Sequence, residues 1–309
     1  MKVLLTGASS FTGFWFARQL VASGHEVVAC FRGSQDSYEG GRRLRVEELR
    51  GVVRPVWGVE VGDSAFLSIV QSEQFDLFCH HAAEMTDYRS WDFDILDATA
   101  KNTRSKRAIL QALHERGCQR IVMTGSVFEP FEGVGDADQR SFNPYGLSKH
   151  ISYEIFRMEA ERIGMKIDKF VIPNPFGPFE EPRFTSYLAK EWQAGRTPGC
   201  RTPAYVRDNI PVDLLAHAYR AFCEKPLAFC GNSRATPSGY VQSQGDFSLR
   251  VAREYGNRAG RTVEVSLADQ EDFSEPLIRI NSRSALEEFS EWDEENFWNS
   301  TFEYWCKFS

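Results

Sequence analysis

Short apolar runs alternate with segments of helical periodicity through the first half of the chain. The apolar runs predict strands there at residues 3–5, 25–31, 52–57, 75–79 and 120–123, and a sixth strand follows in the second half at 169–172. Apolar positions at helical spacing predict helices at residues 14–21, 42–50, 63–73 and 92–116. Strands that alternate with helices are typical of βαβ units. The pattern therefore predicts an α/β fold with a doubly wound parallel sheet.

The turn after the first strand combines glycines with small polar residues. Gly7 and Gly13 flank Ser10, and the turn stands between the first predicted strand and the first predicted helix. This arrangement presents backbone N–H groups to a pyrophosphate. An ordinary βα turn that happens to contain glycines is the alternative. We interpret the turn as phosphate-binding because both flanking elements stand where this mechanism requires them.

Composition and charge are those of an ordinary globular protein. The chain has 309 residues, of which 42% are hydrophobic and 26% charged, and its formal net charge is -7. A negative chain argues against nucleic acid or an acidic membrane surface as the main partner, since either favours a basic patch. The length allows one large core or two modest domains.

The cysteines and the N-terminus indicate the compartment. Seven cysteines are scattered without a Cys-x-x-Cys pair or a histidine at metal-ligand spacing, which predicts a reducing, cytoplasmic location. Glycines and serines interrupt the N-terminal apolar run, so we expect no signal peptide. His80 and His81 are adjacent on a strand and face opposite sides, so we expect no metal site there.

The residue after the second strand bears on the cofactor. NAD sites of this fold usually carry an acidic residue there for the ribose 2′-hydroxyl. Here the chain has Arg32, whose guanidinium suits a 2′-phosphate. A solvated surface arginine is the alternative. The position favours NADP, with NAD as the second choice.

Tyr145 and Lys149 form the sharpest chemical signal. They are four residues apart, so on a helix they share one face. A cation one turn away stabilises a phenolate, which makes tyrosine a usable general acid or base. The same spacing occurs by accident on exposed helices. The glycine-rich turn upstream favours the catalytic interpretation.

These motifs resemble the extended short-chain dehydrogenase/reductases, which include nucleotide-sugar epimerases, dehydratases and reductases. Thr6-Gly7-x-x-Ser10-x-x-Gly13 resembles their glycine-rich loop, with Ser10 in place of the middle glycine, and Tyr145-x-x-x-Lys149 resembles their catalytic pair. Further matches are Gly62-Asp63, His81-Ala82-Ala83, Asn102, Thr124, Asn174 before Phe176-Gly177-Pro178, and Arg207-Asp208. The resemblance implies a Rossmann fold with a smaller C-terminal substrate-binding lobe and the site in the cleft between them.

The resemblance also implies the roles of individual residues. The catalytic residues would be Thr124, Tyr145 and Lys149. The cofactor would contact Gly7, Ser9, Ser10, Phe11, Thr12, Gly13, Arg32, Asp63, Ala82, Ala83, Tyr145, Lys149 and Pro173. The substrate would contact Ser126, Asn174 and Arg207. The dinucleotide-binding domain is expected at residues 1–175 with 206–230, and the substrate lobe at 176–205 and 231–309.

The loop after the fifth strand distinguishes reactions within the family. Related 4,6-dehydratases place an acidic pair after the catalytic hydroxyl, whereas this chain has Gly125-Ser126. Glu129 and Glu132 lie beyond that position and are interpreted as a solvated loop edge. Thr124-x-x-Val127-Phe128 is similar to the loop of the 4-keto-sugar reductases, which implies NADP-dependent reduction of a nucleotide-linked 4-keto-6-deoxy sugar. We also expect a homodimer. A 4-epimerase is the alternative, and a non-catalytic NADP-binding regulator is a third interpretation.

Overall fold

The strands and helices follow the predicted alternation through the first half. The structure is a computed structural model that describes residues 1–136, 139–141 and 143–308. The strands are β1 Lys2–Thr6, β2 Glu26–Phe31, β3 Arg54–Trp57, β4 Leu77–His80, β5 Arg120–Ser126, β6 Val134–Gly135, β7 Lys166–Ile172, β8 Asn174–Phe176, β9 Gly199–Cys200, β10 Val206–Pro211, β11 Arg234–Ala235, β12 Pro237–Ser238, β13 Tyr240–Ser243, β14 Ser266–Leu267, β15 Ile278–Ile280 and β16 Arg283–Ser284. The helices are α1 Phe11–Ala22, α2 Gly40–Glu48, α3 Ser64–Ser72, α4 Ile95–Asn102, α5 Lys106–Glu115, α6 Pro144–Arg162, α7 Phe184–Gln193, α8 Val212–Cys223, α9 Gln244–Ala259, α10 Ala285–Glu288 and α11 Glu294–Phe308.

The described residues divide into two compact units. Unit 1 comprises residues 1–132, 140–172 and 216–235, and unit 2 comprises 133–139, 173–215 and 236–309. The functional domain boundaries expected above stay a prediction. Within the described ranges, no helix is both long enough and apolar enough to cross a bilayer.

Unit 1 contains a parallel sheet with the strand order β11-β7-β5-β4-β1-β2-β3. The chain builds outward from β1 to β3, then returns to the other side of β1 with β4. This confirms the predicted doubly wound α/β class. Ligands of such sheets bind at the carboxyl ends of the strands where the order reverses. The register pairs Thr6 with His80 at that point, and His80 with Met123 of β5.

The core of unit 1 forms where strands and helices bury their apolar faces against each other. Leu4, Val28, Phe78 and Ile121 on four strands belong to one buried cluster. The apolar positions that predicted the first helix lie on its buried face, including Phe14, Phe16, Ala17 and Leu20. Sheet and helix therefore hold the glycine-rich turn from both ends.

The prediction of one long helix over residues 92–116 is wrong. The chain instead forms two helices, α4 and α5, with a break between them. Ser105 has a φ of +52°, which ends helical geometry, and its hydroxyl donates to the Gly62 carbonyl oxygen over 2.7 Å. At Gly62 a Cβ would lie 2.4 Å from the Arg104 carbonyl oxygen. The break is therefore fixed by a contact with the loop before α3, which helical periodicity cannot report.

Unit 2 has a smaller mixed sheet and an aromatic core. Its strands run in the order β13-β10-β15-β6, and β8 also pairs with β10. The core gathers aromatic side chains from α7, α9, α11 and β8, among them Trp192, Tyr255, Trp298 and Phe176. The apolar face of α11 is thereby buried within unit 2.

Candidate active site

The glycine-rich turn of unit 1 leaves no room for side chains at its two glycines. Gly7 has a φ of +78°, and a Cβ there would lie 2.9 Å from the Ala82 backbone nitrogen. A Cβ at Gly13 would lie 2.2 Å from the Gly7 carbonyl oxygen. The start of α1 can therefore approach β1 only because both residues are glycine.

Ser10 replaces the family's middle glycine without backbone strain. It is the N-cap of α1 with a φ of −74° and accepts a hydrogen bond from Gly13 N over 3.1 Å. Its hydroxyl donates to the Gly7 carbonyl oxygen over 2.8 Å. The side chain of Ser10, a residue expected to contact the cofactor, is thus engaged with the turn itself. The first turn of α1 contains no acidic residue.

Contacts within unit 1 hold the other residues of the turn that were predicted to contact the cofactor. The Ser9 carbonyl oxygen accepts a hydrogen bond from Nε of Arg45 over 2.9 Å, and Arg45 is fully buried on α2. Phe11 is buried, whereas the hydroxyl of Thr12 lies 3.0 Å from Nε2 of His81. The buried Arg45 guanidinium thus stabilises the turn through the Ser9 carbonyl oxygen. Sequence reasoning missed it, because a charged residue on a short helix gives no local signal of burial.

The segment after β4 lies against the same turn. The Thr6 hydroxyl accepts hydrogen bonds from the backbone nitrogens of His81 and Ala82, each over 3.1 Å. Ala83 follows in the chain, and the Glu84 backbone nitrogen donates to Oδ1 of Asn102 over 2.7 Å. Asn102 also donates to the Ser152 hydroxyl of α6 over 3.4 Å. Asn102, one of the residues that match the family, thus connects this segment with the helix that carries Tyr145.

His81 is the residue of this region that sequence reasoning missed. Its ring nitrogen Nδ1 lies 2.8 Å from the Thr124 hydroxyl, and Nε2 lies 3.0 Å from the Ser10 hydroxyl. Burial, together with the charge of Lys149, lowers the pKa of His81 to about 3, so the ring is neutral at neutral pH. The usable signal was its position directly after a strand that neighbours β1.

Thr124, Lys149 and Tyr145 come from β5 and α6. Thr124 is buried, and its carbonyl oxygen accepts a hydrogen bond from Nζ of Lys149 over 2.6 Å. Burial and the charge of Lys169 lower the pKa of Lys149, while Glu129 opposes the shift. Tyr145 lies one turn before Lys149 on α6, and its ring packs edge-on against Tyr88 and Phe93. Tyrosine and lysine thus occupy one buried face of α6, and the lysine reaches the end of β5.

The N-terminal end of α6 determines how the face with Tyr145 and Lys149 is oriented. Pro144 occupies the first turn of α6, and the Asn143 side chain accepts from Gly146 N over 2.7 Å as the N-cap. At Gly146 a Cβ would lie 2.0 Å from the Phe128 carbonyl oxygen, so α6 begins in close contact with the loop after β5. Caps of this kind orient the first helical turn, which here carries Tyr145.

The loop after β5 conceals a buried charge cluster, and the interpretation of Glu129 and Glu132 as a solvated edge is wrong. Both are 1% exposed, and Nζ of Lys169 lies 2.7 Å from Glu129 and 2.9 Å from Glu132. Glu129 also accepts from the Ser126 backbone nitrogen over 2.9 Å. The Ser126 hydroxyl accepts from Phe128 N over 3.2 Å, so it stabilises the loop. Burial is possible because Lys169 of β7 contacts both acids, and Arg234 lies 3.5 Å from Glu132.

Arg32 and Asp63 lie near the ends of β2 and β3. The Arg32 side chain is 66% exposed and 4.0 Å from Glu60, so its guanidinium is accessible to a ligand. Asp63 caps α3: one carboxylate oxygen accepts from Phe66 N over 2.7 Å and the other from Glu60 N over 2.9 Å. A carboxylate has further lone pairs, so this cap leaves acceptor capacity for an adenine amino group.

The remaining predicted residues belong to unit 2. Pro173 follows β7 in the chain, and Asn174 begins β8, where it pairs with Asn209 of β10. Arg207 is buried, donates to Glu275 over 2.7 Å and also donates to the carbonyl oxygens of Pro276 and Leu277. A diphosphate would therefore have to displace Glu275 from the Arg207 guanidinium. The roles of these three residues stay predictions.

A sequence model of the family described as NAD dependent epimerase/dehydratase matches residues 3–228. The chain belongs to this family. The match runs from the second residue of β1 to beyond the end of α8, which includes the glycine-rich turn and the Tyr145–Lys149 pair. The resemblance drawn from the motifs is thereby confirmed.

Relatives and solved structures of this family agree with the fold. UDP-glucose 4-epimerase of Mycolicibacterium smegmatis is 23% identical over 234 residues, which cover 71% of this chain and 73% of that protein. The UDP-glucose 4-epimerase of Thermotoga maritima with UDP-glucose gives a TM-score of 0.75 at 16% identity over 99% of both chains. The UDP-glucuronic acid 4-epimerase of Bacillus cereus with UDP-glucuronic acid and NAD gives 0.75 at 15% over the whole of both chains.

The residues of the turn fit a nicotinamide dinucleotide, the cofactor that the family name implies. Pyrophosphate binding requires a tight backbone turn and a helix start without an acidic residue. A Cβ at Gly7 or Gly13 would disrupt this turn, and α1 has no acidic residue in its first turn. The backbone from Gly7 to Gly13 would hold the pyrophosphate, and Lys149 would hold the nicotinamide ribose. A bound nicotinamide dinucleotide supplies a carrier that accepts and returns a hydride.

Proposed function

We propose that this chain is a nucleotide-sugar 4-epimerase that uses a nicotinamide dinucleotide. The observation that carries the proposal is the 2.6 Å hydrogen bond from Lys149 to the Thr124 carbonyl oxygen, with Tyr145 one turn away on the same helix. It supports an acid–base pair beside a hydroxyl at the carboxyl edge of a doubly wound sheet. The relatives that are 4-epimerases support the reaction class.

The proposed roles follow from the chemistry of each side chain. Tyr145 takes the proton from the sugar 4-hydroxyl as the carbonyl forms and returns it afterwards. The Lys149 ammonium stabilises the phenolate during this exchange. The Thr124 hydroxyl donates to the sugar oxygen that develops charge. Asn174 and Arg207 would contact the nucleotide diphosphate, and Ser126 would contact the sugar.

Net reduction of a 4-keto-6-deoxy sugar is the second candidate, favoured by a specific observation. The exposed Arg32 guanidinium suits a 2′-phosphate, and NADPH can supply the hydride of a net reduction. Gly125-Ser126 stands where dehydratases have an acidic pair, and Glu129 and Glu132 are engaged by Lys169. These observations favour an epimerase or reductase over a dehydratase.

One set of assays separates the candidates. The purified protein is incubated with UDP-hexoses and with a dTDP-4-keto-6-deoxyhexose, each with NAD, NADH, NADP or NADPH. Interconversion of 4-epimers without net cofactor consumption is the expected result, and consumption of NADPH matched by product supports the reductase. Tyr145→Phe should abolish turnover and keep cofactor binding. Cofactor binding without turnover of any nucleotide sugar would overturn both and favour a regulator.

A matched control lies on the same helix. Tyr153 is two turns after Tyr145 on α6, and its ring packs against Nζ of Lys169 at 4.1 Å. Tyr153→Phe keeps that ring and should leave turnover near that of the unmodified protein. The expected homodimer and cytoplasmic location stay predictions, and analytical ultracentrifugation of the purified protein tests the first.

A further inference from the structure

The buried charge cluster lies directly against the end of β5 and the middle of α6. Oε1 of Glu129 accepts a hydrogen bond from the Ser126 backbone nitrogen over 2.9 Å, and Oε2 contacts Nζ of Lys169 over 2.7 Å. The Lys169 ammonium also lies 4.1 Å from the centre of the Tyr153 ring, one turn after Lys149 on α6. One ion pair therefore contacts both elements that carry the proposed acid–base residues.

Glu129 closes the turn that follows β5. Its backbone nitrogen donates to the Ser126 carbonyl oxygen over 3.0 Å, while its side chain accepts from the Ser126 backbone nitrogen. At Gly125 a Cβ would lie 3.0 Å from Oε1 of Glu129 and 3.1 Å from Cδ of Lys169, so the ion pair packs directly on the strand. Thr124 immediately precedes Gly125 on β5. The carboxylate is therefore held against the two residues that follow Thr124.

The charge of Glu129 also acts on Lys149. Burial lowers the pKa of Lys149, Glu129 from the loop after β5 raises it, and Lys169 from β7 lowers it, in this order of size. The Lys149 charge acts in turn on His80 and His81 of β4. Both rings are neutral at neutral pH, because burial lowers the pKa of each to about 3. Glu129 is thus the anion that opposes the effect of burial on Lys149.

We propose that Glu129 is a positioning residue whose buried carboxylate holds the end of β5 and keeps Lys149 an ammonium beside Tyr145. An ammonium stabilises a phenolate, whereas a neutral amine does not. The contribution of Glu129 to turnover rests on the proposed function of Tyr145 and Lys149. Its effect on the charge of Lys149 does not, because that effect depends on contacts and charges within unit 1.

Glu132 is the matched control for Glu129. It is equally buried and contacts Lys169 over 2.9 Å, but its second cation is Arg234 of β11, at 3.5 Å. Glutamine at either position removes one buried negative charge and leaves Lys169 beside the other carboxylate. The two variants therefore differ in which contact of the cluster they change, and only Glu129→Gln removes the charge held at the end of β5.

The first test measures the charge of Lys149 directly and needs no substrate. In protein labelled with 13C at the lysine Cε, a pH titration by carbon–proton NMR gives the pKa of Lys149, and Lys149→Arg assigns its signal. Glu129→Gln should lower this pKa by about one pH unit or more, because an opposite charge is lost. Glu132→Gln should leave it nearly unchanged. An unchanged pKa in Glu129→Gln, or equal falls in both variants, would overturn the proposal.

A triple variant separates charge from altered packing. Lys169→Met combined with Glu129→Gln and Glu132→Gln removes the cation that lowers the pKa of Lys149 together with the anion that raises it. The pKa of Lys149 in this variant should lie between those of Glu129→Gln and the unmodified protein. A value below that of Glu129→Gln would show that altered packing, and not charge, controls Lys149.

The second test follows kcat/KM against pH at saturating cofactor. Loss of the Lys149 proton ends the stabilisation of the Tyr145 phenolate, so the alkaline limb of the profile should move to lower pH in Glu129→Gln. Glu132→Gln should keep the profile of the unmodified protein. Glu129→Ala also removes the acceptor for the Ser126 backbone nitrogen, and it should in addition lower kcat about ten-fold at every pH, the effect of one lost hydrogen bond.

The shape of the profile distinguishes the proposed role from a purely structural one. A structural role of Glu129 would lower kcat/KM in Glu129→Gln by the same factor at every pH, and that result would contradict the proposal. If the unmodified protein converts no nucleotide sugar, the proposed function fails, and the titration of Lys149 still decides whether Glu129 sets its charge.

Discussion

Lys149 donates from Nζ to the carbonyl oxygen of Thr124 over 2.6 Å, which connects α6 with the end of β5. Lys149→Met removes the ammonium that we propose to stabilise the Tyr145 phenolate, and it removes this donor from the Thr124 carbonyl oxygen. We expect kcat to fall by about 10²–10⁴, the range of general acid–base catalysis. Steady-state kinetics at saturating cofactor measure the fall, and fluorescence titration measures cofactor affinity.

Lys101→Met is the control for a lost lysine. Lys101 lies on α4, is half exposed and pairs with Asp97 over 2.7 Å. Exposed pairs of this kind contribute little to stability, about 0–1 kcal/mol. If both substitutions reduced kcat equally, Lys149 would have no special role in turnover.

The glycine cradle gives a steric prediction. In Gly13→Ala the new Cβ would lie 2.2 Å from the Gly7 carbonyl oxygen, so α1 must move away from β1. Because the start of α1 would bind the pyrophosphate, we expect cofactor affinity to fall at least about ten-fold. Gly41→Ala is the control, since its Cβ would meet the Arg45 side chain at 3.7 Å with no clash. Unchanged cofactor affinity in Gly13→Ala would remove the turn from the proposed site.

Arg32 tests the choice between the two nicotinamide cofactors. Its exposed guanidinium would bind the 2′-phosphate that only NADP carries, and one charged hydrogen bond contributes about 1.5–3 kcal/mol. Arg32→Ala should therefore weaken NADPH binding about ten- to hundred-fold and leave NADH binding nearly unchanged. Arg104→Ala is the control, because Arg104 also approaches Glu60, at 3.8 Å. Equal losses for both cofactors would exclude the NADP assignment.

Local signals predicted the glycine-rich turn and the tyrosine–lysine face. The helix at residues 63–73 and the strand at residues 25–31 were predicted for the same reason, since each depends on neighbours within a few residues. The contacts of His81 could not be predicted from local sequence. They require Ser10, Thr12 and Thr124 to converge, and these belong to segments far apart in sequence.

Strand order would have supplied the missing information. Once β4 is known to lie between β1 and β5, the residue after His80 must lie beside both carboxyl ends. The buried pair Glu129 and Glu132 was misread for a similar reason. The lysine that permits their burial is 37 residues or more away, on β7. A charged residue in a loop is predicted to be solvent-exposed unless its partner elsewhere in the sequence is known.

The buried charge cluster gives a stability prediction. Lys169→Met removes the ammonium that both buried carboxylates contact, although Arg234 stays 3.5 Å from Glu132, and breaking a buried ion pair costs about 3–5 kcal/mol. We expect a loss of this size in the free energy of unfolding from urea titrations. Adding Glu129→Gln and Glu132→Gln should recover most of the loss, because the two buried negative charges are removed. Lys166→Met, at the half-buried start of β7, is the control, since Lys166 donates to the Leu227 carbonyl oxygen and contacts neither acid.

If the two glutamine substitutions did not restore stability, the loss in Lys169→Met would come from packing. The Lys169 stem also packs near Gly125, where a Cβ would lie 3.1 Å from Cδ of Lys169. If the triple variant were as unstable as Lys169→Met, this packing would dominate over charge.

Glu180 gives a pH prediction in unit 2. It is buried, accepts from the Thr185 hydroxyl over 2.5 Å, and burial raises its pKa from 4.5 to about 7. Between these values the folded protein keeps a proton that the unfolded chain has lost, so stability falls as pH rises. Glu180→Gln is neutral throughout and should lack this fall. Relative to the variant, the wild type should lose about 3 kcal/mol between pH 4.5 and pH 8.

Urea unfolding of both proteins at several pH values measures this difference. Subtracting the two curves cancels other titrating groups, including Asp208, whose pKa burial raises to about 6. Thr185→Val supplies an internal check. The Thr185 hydrogen bond lowers the pKa of Glu180, so its loss should extend the fall in stability to higher pH. Parallel curves for wild type and Glu180→Gln would mean that Glu180 ionises at its ordinary pKa in the folded protein.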